Sequence, residues 1–402
     1  MKRLLVTALI MILLNSFAQA QWTTLFTFDS TVSYTGQFIN QDTGYTSGWF
    51  GQIYKTTDGG ANWTKILTGG QTGVTSMVFT DCNTGYTVGA SGVAKTTDGG
   101  YNWTLLNIST TGYLLRANFI NDTTGYVVGT NGTIIKTTDA GMTWSQLPSG
   151  TLISLYSIYF PVTDTGYVAG NFGTILKTCN AGLSWTQLPS ITSEAFYGLF
   201  FTDCQTGFAV GNNGSVIKTA DGGLSWNFQN SGTTKWLNSV YFTSKDTGYI
   251  CGMYGTVLKT TNGGAGWTHQ IVDSNYHYYE IDFISKDTGF IFGEKELFFP
   301  HSQGIVLKTT NGGQVFVAEH KKTGDNISIY PNPVHRYLTI EQGDANAIDC
   351  IVTIYNSFGA PVYTSVLKGN MMTVDAGGLL AGIYMVVIQS ERYRLDRKMI
   401  KE

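Results

Sequence analysis

Charged side chains make up only 13% of this 402-residue chain, and the formal net charge is −3. So sparse and balanced a charge gives no basis for a nucleic-acid surface or for docking on an anionic membrane. Cysteine is scarce and odd in number: Cys82, Cys179, Cys204, Cys251 and Cys350, with no C-x-x-C spacing. A closed disulfide framework is excluded, and a zinc or redox centre has no ligand pattern to rest on. The five are expected as small core or loop residues. Arginine is almost missing from the body of the chain, where Arg116 is the single one between Gln21 and Glu319. Beyond the N-terminus no apolar run is long enough to span a bilayer, so no transmembrane anchor is expected after processing. No metal or cofactor is expected either.

Glycine, at 49 residues, and aromatic residues, at 13%, are plentiful. Together they suggest β-structure with many tight turns. At the N-terminus Lys2 and Arg3 precede the apolar run 4–14, and Ala18-Gln19-Ala20 follows. That is the layout of a cleaved signal peptide over residues 1–20, with a mature chain from Gln21 outside the cytoplasm.

A repeat dominates the rest. Thr-Gly-aromatic recurs with its glycine at 44, 85, 125, 166, 207, 248 and 289, and a phenylalanine stands six residues before each. A Lys-Thr pair recurs with its lysine at 55, 95, 136, 177, 218, 259 and 308; the longer last interval holds an insertion around 294–304. Each repeat reads as four short strands with an Asp-Gly-Gly type turn before the fourth, a strong hairpin signal. Four-stranded units at a period of about 40 residues describe propeller blades. The repeated Phe and Trp are expected between blades. Six repeats carry Trp63, Trp103, Trp144, Trp185, Trp226 and Trp267; the seventh has Phe316 instead, while "QWTTLF" at Gln21 matches a fourth strand. Either segment could complete the last blade.

The copies "TTDGGANW", "TTDAGMTW" and "TADGGLSW" resemble Asp-box repeats. With the T-G-Y/F strand, the pattern is similar to seven-bladed propellers related to the photosystem II assembly factor. The resemblance implies an all-β, seven-bladed propeller over 21–318, in which the aspartate caps a hairpin turn above its Trp. The cap positions are Asp58, Asp98, Asp139, Asn180, Asp221, Asn262 and Asn311. An Asp or Asn heading a tight turn accepts bonds from backbone about two residues on. Asn at three positions argues against catalysis or calcium binding there.

After a polar linker over 319–325 the pattern changes to alternating strands, 326–402, suiting a small β-sandwich. Tyr330-Pro331-Asn332-Pro333, Asn356-Ser357-Phe358-Gly359, Gly382-Ile383-Tyr384 and the closing Lys398-Met399-Ile400-Lys401 resemble the C-terminal sorting domain of type IX secretion substrates of Bacteroidetes. The resemblance implies Sec export followed by passage across the outer membrane through the type IX machinery, with release or attachment at the cell surface.

Asp-box propellers include sialidases, which grip a carboxylate with three arginines. One arginine excludes that activity and also departs from the arginine-rich patch of the assembly factor. A glycosidase needs two carboxyl groups flanking the bond. Glu280 and Asp282, two apart on one strand, point to the same face of a first strand, which lines a propeller's channel. In register Glu280 matches Arg116, whose blade stands across the ring. A ligand pocket of Arg116, Glu280 and Asp282 is one reading; charges solvated by channel water are the plainer one. His269, His277 and His301 do not converge as metal ligands would. Tyr156, Tyr159, Tyr197, Trp236 and the run 276–280 place aromatics near first strands, as sugar platforms or as core. Complete repeat regularity with no convergent catalytic set favours a non-catalytic propeller that binds a glycan or protein, with an extracellular glycoside hydrolase as the alternative. The insertion at 294–304 is the one irregular loop and a candidate contact surface.

Overall fold

The computed structural model describes residues 22–29, 33–48, 51–67, 73–108, 110, 112–296, 302–313, 327–342, 349–356, 360–389 and 394–402. The expected signal peptide, the linker, Phe316 and His301 lie outside the described residues. Contacts divide the chain into two compact units, one over 20–315 and one containing 316–402.

The first unit is seven antiparallel sheets of four strands each. Their first strands are Thr35–Phe38, Val74–Phe79, Leu114–Phe119, Leu155–Val162, Phe196–Phe201, Leu237–Phe242 and His277–Phe283. Each lies beside the next and the last beside the first. The result is a closed seven-bladed propeller around a channel, as the repeat predicts. Among the described residues there is no helix longer than the single turn Asn212–Gly214, whose Asn213 has a non-helical φ of 52°.

The repeat residues explain themselves at the blade interfaces. A Cβ on Gly44 would sit 2.6 Å from the Phe38 ring. The Thr-Gly-aromatic glycine is therefore the space the preceding phenylalanine occupies. That ring is also covered from the neighbouring blade. Tyr45 stacks on Phe79 at 4.0 Å, and Phe79 meets Trp103 edge-on at 5.9 Å. The stack recurs around the ring and ends with Phe290 on Phe38 at 3.6 Å. Buried aromatic pairs of this geometry are worth about 0.5–1.5 kcal/mol beyond their area.

The repeated lysine, which the sequence offers only as a marker, clasps adjacent blades. Lys55 Nζ donates to the Gly99 carbonyl of the next blade's turn at 2.7 Å, and Tyr45 OH donates to the same oxygen at 2.7 Å. Equivalent bonds run from Lys95 to Ala140, Lys136 to Ala181, Lys177 to Gly222, Lys218 to Gly263 and Lys259 to Gly312. Lys308 to Gly59, at 3.3 Å, joins blade seven to blade one.

Blade seven takes its outer strand from the N-terminus. Thr23–Asp29 pairs with Ser302–Thr309. Thr23 lies opposite Lys308, the register that Thr64 and Lys55 have in blade one. Trp22 is 3% exposed and meets Phe283 edge-on at 5.9 Å, so it fills the slot that each blade reserves for its tryptophan.

The turn caps reach further than a two-residue bond. Asp58 Oδ1 accepts the Thr56 hydroxyl at 2.8 Å and the backbone N–H of Asn62, four residues on, at 2.9 Å. Asn180 makes the same pair of bonds with Thr178 and Ser184. Only the oxygen is needed, so Asn can stand for Asp. The hydrogen bonds hold the Asp58, Asp98, Asp139 and Asp221 carboxyls down at about 2.

The second unit has two sheets. One orders Ile327–Tyr330, Tyr337–Gln342 and Met371–Asp375; the other orders Pro361–Leu367, Cys350–Tyr355, Gly382–Gln389 and Arg394–Lys401. Leu338, Ile340 and Val374 of the first pack with Val352, Ile354 and Val386 of the second in one core. All five cysteines are free; Cys251 and Cys350 are buried and the other three exposed.

Candidate functional site

First strands present alternate side chains to the channel, and three of the predicted residues meet there. Arg116 spans the ring from blade three to Glu280 of blade seven and pairs with both its oxygens, Nη2 to Oε1 at 2.6 Å and Nη1 to Oε2. Glu280 is 10% exposed and Arg116 32%. The two charges therefore engage each other across the channel, with part of the Arg116 side chain still open to solvent. Bidentate pairing of this kind is the strong form of the guanidinium–carboxylate contact.

Asp282 lies one level further along the channel, and its Oδ1 accepts the Phe283 N–H at 2.8 Å. Burial, with the Glu280 charge adding to it, pushes its carboxyl up to about 7. Desolvation disfavours the ionised form, and the Arg116 charge and the backbone N–H groups of Phe283 and Phe38 offset this only in part. A cavity of about 170 Å³ is bordered by Arg116, Glu280 and Asp282, together with Asn118 and Tyr241. A second, of about 390 Å³, opens toward the hairpin turns at Asn40 and Asp81 and shares Asp282 with the first. The Asn118 side-chain Oδ1 is buried without a hydrogen-bond partner in the same region.

The opposite end, where first strands begin, is aromatic. Tyr156 and Tyr197 lie 5.1 Å apart, and Tyr197 and Trp236 6.1 Å apart. Trp236 is 46% exposed. Across the mouth Tyr34 and Tyr279 meet edge-on at 4.8 Å, and Tyr279 OH donates to Glu294 at 2.6 Å. Tyr159 instead lines the channel deeper, against Phe200 at 5.0 Å. The described part of the 294–304 insertion lengthens a blade-seven hairpin, with Lys295 opposite Gln303. His277 Nδ1 accepts the Tyr254 N–H at 3.1 Å. Among the described residues no three His, Cys, Asp or Glu side chains cluster as a metal site would need.

In the second unit the sorting-motif residues meet at the last strand. Asn332 Nδ2 donates to the Lys398 carbonyl and its Oδ1 accepts the Ile400 N–H, each at 2.8 Å. Its amide thus copies a backbone partner beside the closing strand, with Pro331 and Pro333 flanking it. Tyr384 OH donates to the Leu380 carbonyl at 2.8 Å, and Gly382 lies opposite Lys401.

The family model described as photosynthesis system II assembly factor YCF48 matches residues 101–194 and 190–276. That described as secretion system C-terminal sorting domain matches 328–402. No curated protein matches the chain in sequence. Among solved structures, YCF48 bound to D1 peptide superposes with TM-score 0.60 at 20% identity, over 72% of this chain and 97% of its own. PorZ, a surface component of the type IX secretion system of Porphyromonas gingivalis, gives 0.54 at 11%, over 92% and 59%. An ancestral GH74 enzyme gives 0.53 at 13%, over 94% and 63%. Identities this low carry the fold alone. The chain is a β-propeller of YCF48-type repeats joined to a type IX secretion sorting domain, which directs it to the cell surface or beyond.

Proposed function

We propose that the propeller is a non-catalytic binding module that captures a glycan or protein at its channel mouth, with Arg116, Glu280 and Asp282 as the polar floor. One observation carries this reading: both oxygens of Glu280 are held by Arg116. A glycosidase leaves its second carboxylate free to attack or to activate water. Here that group is neutralised across the ring, while aromatic side chains above it stay open to a ligand. Residues 326–402 would serve the secretion machinery and leave the propeller as the working part. Incubating the purified protein with a polysaccharide panel tests the reading. Capture without turnover is expected; hydrolysis abolished by Glu280→Gln would overturn it.

A second reading, an extracellular glycoside hydrolase, draws on Asp282. A carboxyl held protonated near neutrality is what a general acid requires. The same assay decides it.

A further inference from the structure

Four blades join their second and third strands through two residues that both have positive φ. They are Asn131-Gly132 (55° and 64°), Phe172-Gly173 (53° and 68°), Asn213-Gly214 (52° and 68°) and Tyr254-Gly255 (55° and 67°). Two successive left-handed residues make a type I′ turn, whose favoured sequence is Asn-Gly. Asn tolerates that region because its short side chain bonds locally; a bulky residue there is an outlier. Blades three and five keep the favoured Asn. Blades four and six put an aromatic ring in the strained position and leave it in solvent, Phe172 67% exposed and Tyr254 60%. Strain without burial does nothing for the free fold, and such strain gathers where a ligand is held.

Both turns are tied by backbone bonds to the segments that lead into the aromatic first strands of the channel mouth. The Asn171 N–H, next to Phe172, bonds the Ser154 carbonyl at 3.0 Å, two residues before Tyr156. The Met253 N–H, next to Tyr254, bonds the Trp236 carbonyl at 2.9 Å. His277 meets the Tyr254 ring edge-on at 4.6 Å, and Lys235 Nζ stands 4.9 Å from its centroid. These contacts set the ring without covering it. Amides lie between the rings: Asn213 Nδ2 bonds Glu194 at 3.0 Å, and the Asn212 side-chain Oδ1 is buried without a hydrogen-bond partner.

Resting on the binding reading above, we infer that this crescent over blades four to six is a platform for a neutral polysaccharide chain. Flat rings take the C–H faces of successive sugars, and the amides and tyrosine hydroxyls take their hydroxyl groups. The centre of a protein interface is instead a continuous apolar patch. Here the two most exposed rings, Phe172 and Tyr254, stand apart with the Asn212 and Asn213 amides on the blade between them, and the inner row Tyr156, Tyr197 and Trp236 is only partly exposed. An anionic chain would call for a cluster of basic groups, and Lys235 is the basic group at the Tyr254 ring.

The test uses the full purified chain in affinity electrophoresis through soluble glucan, xylan and mannan, with polygalacturonate as the charged counterpart. Retardation by at least one neutral polymer is expected. Restoring Asn-Gly in both turns (Phe172→Asn with Tyr254→Asn) should raise Tm by a few degrees and weaken retardation at least tenfold. Trp236→Ala should weaken it with Tm unchanged. A double variant that binds as before, or melts lower, overturns the inference, as does retardation by polygalacturonate alone. Capture of a protein with no retardation by any glycan refutes the platform but keeps the binding module. Hydrolysis lost in Glu280→Gln refutes the binding module itself.

Discussion

Replacing Trp22 by alanine probes how the ring is closed. The side chain is 3% exposed and contacts Tyr249 and Phe283 edge-on at 6.4 and 5.9 Å. Burying an indole removes on the order of 200 Å² from water. At about 25 cal/mol per Å² that is ~5 kcal/mol, and Trp→Ala changes in cores cost about 3–5 kcal/mol. The expected loss is about 4 kcal/mol, because the Thr23–Asp29 strand then holds blade seven through backbone bonds and its remaining side chains. Urea unfolding of the purified protein, followed by far-UV circular dichroism, measures it. Trp103→Ala, at an equivalent slot that is 7% exposed, should cost a similar amount. Trp236→Ala, 46% exposed, should stay within about 0.5 kcal/mol. If Trp22→Ala costs under about 1 kcal/mol while Trp103→Ala costs several, the N-terminal strand does not close the ring and the reasoning fails.

Asp282, raised to about 7 in the fold, binds its proton more tightly there than in the unfolded chain, where its pKa is near 3.9. Its contribution is most favourable below pH ~4, falls as pH rises through about 7 and is constant above. Asp282→Asn should therefore gain stability over the parent at pH 8 and lose that advantage by pH 4, as read from Tm across a pH series. The Asp58, Asp98, Asp139 and Asp221 caps work in the other sense. With folded values of about 2, their contribution is present above pH ~4 and is lost as pH falls toward 2. Changing all four to Asn should flatten Tm against pH between 2 and 4. Removing residues 326–402 should leave the protein in the periplasm, as fractionation and blotting of cells and medium would show; normal appearance in the medium would count against the sorting role.

The blade number, the four-stranded unit and the sorting tail were legible because each rests on local signals repeated in one frame. Glycine under phenylalanine, the Asp-Gly-Gly turn and the lysine-threonine pair return at nearly constant spacing, so a seven-fold pattern overrides noise at any one position. Glu280, Asp282 and Arg116 stood out because they break that pattern. Their partnership was less legible, since register places Arg116 and Glu280 at one level but not in reach of each other. Phe172 and Tyr254 gave no signal at all: an aromatic in a strand-rich sequence looks ordinary until its φ and exposure are known.

The sequence by itself determined the architecture, the export route and the hairpin caps, all of which follow from short-range chemistry. Tertiary structure decided which end supplies the last strand, because Trp22 finds its slot only when blade seven meets blade six. It also turned the repeated lysines into clasps and joined Arg116 to Glu280. Each of these contacts links residues more than 40 positions apart. Closing a ring brings such residues within bonding distance, and no local pattern encodes that distance.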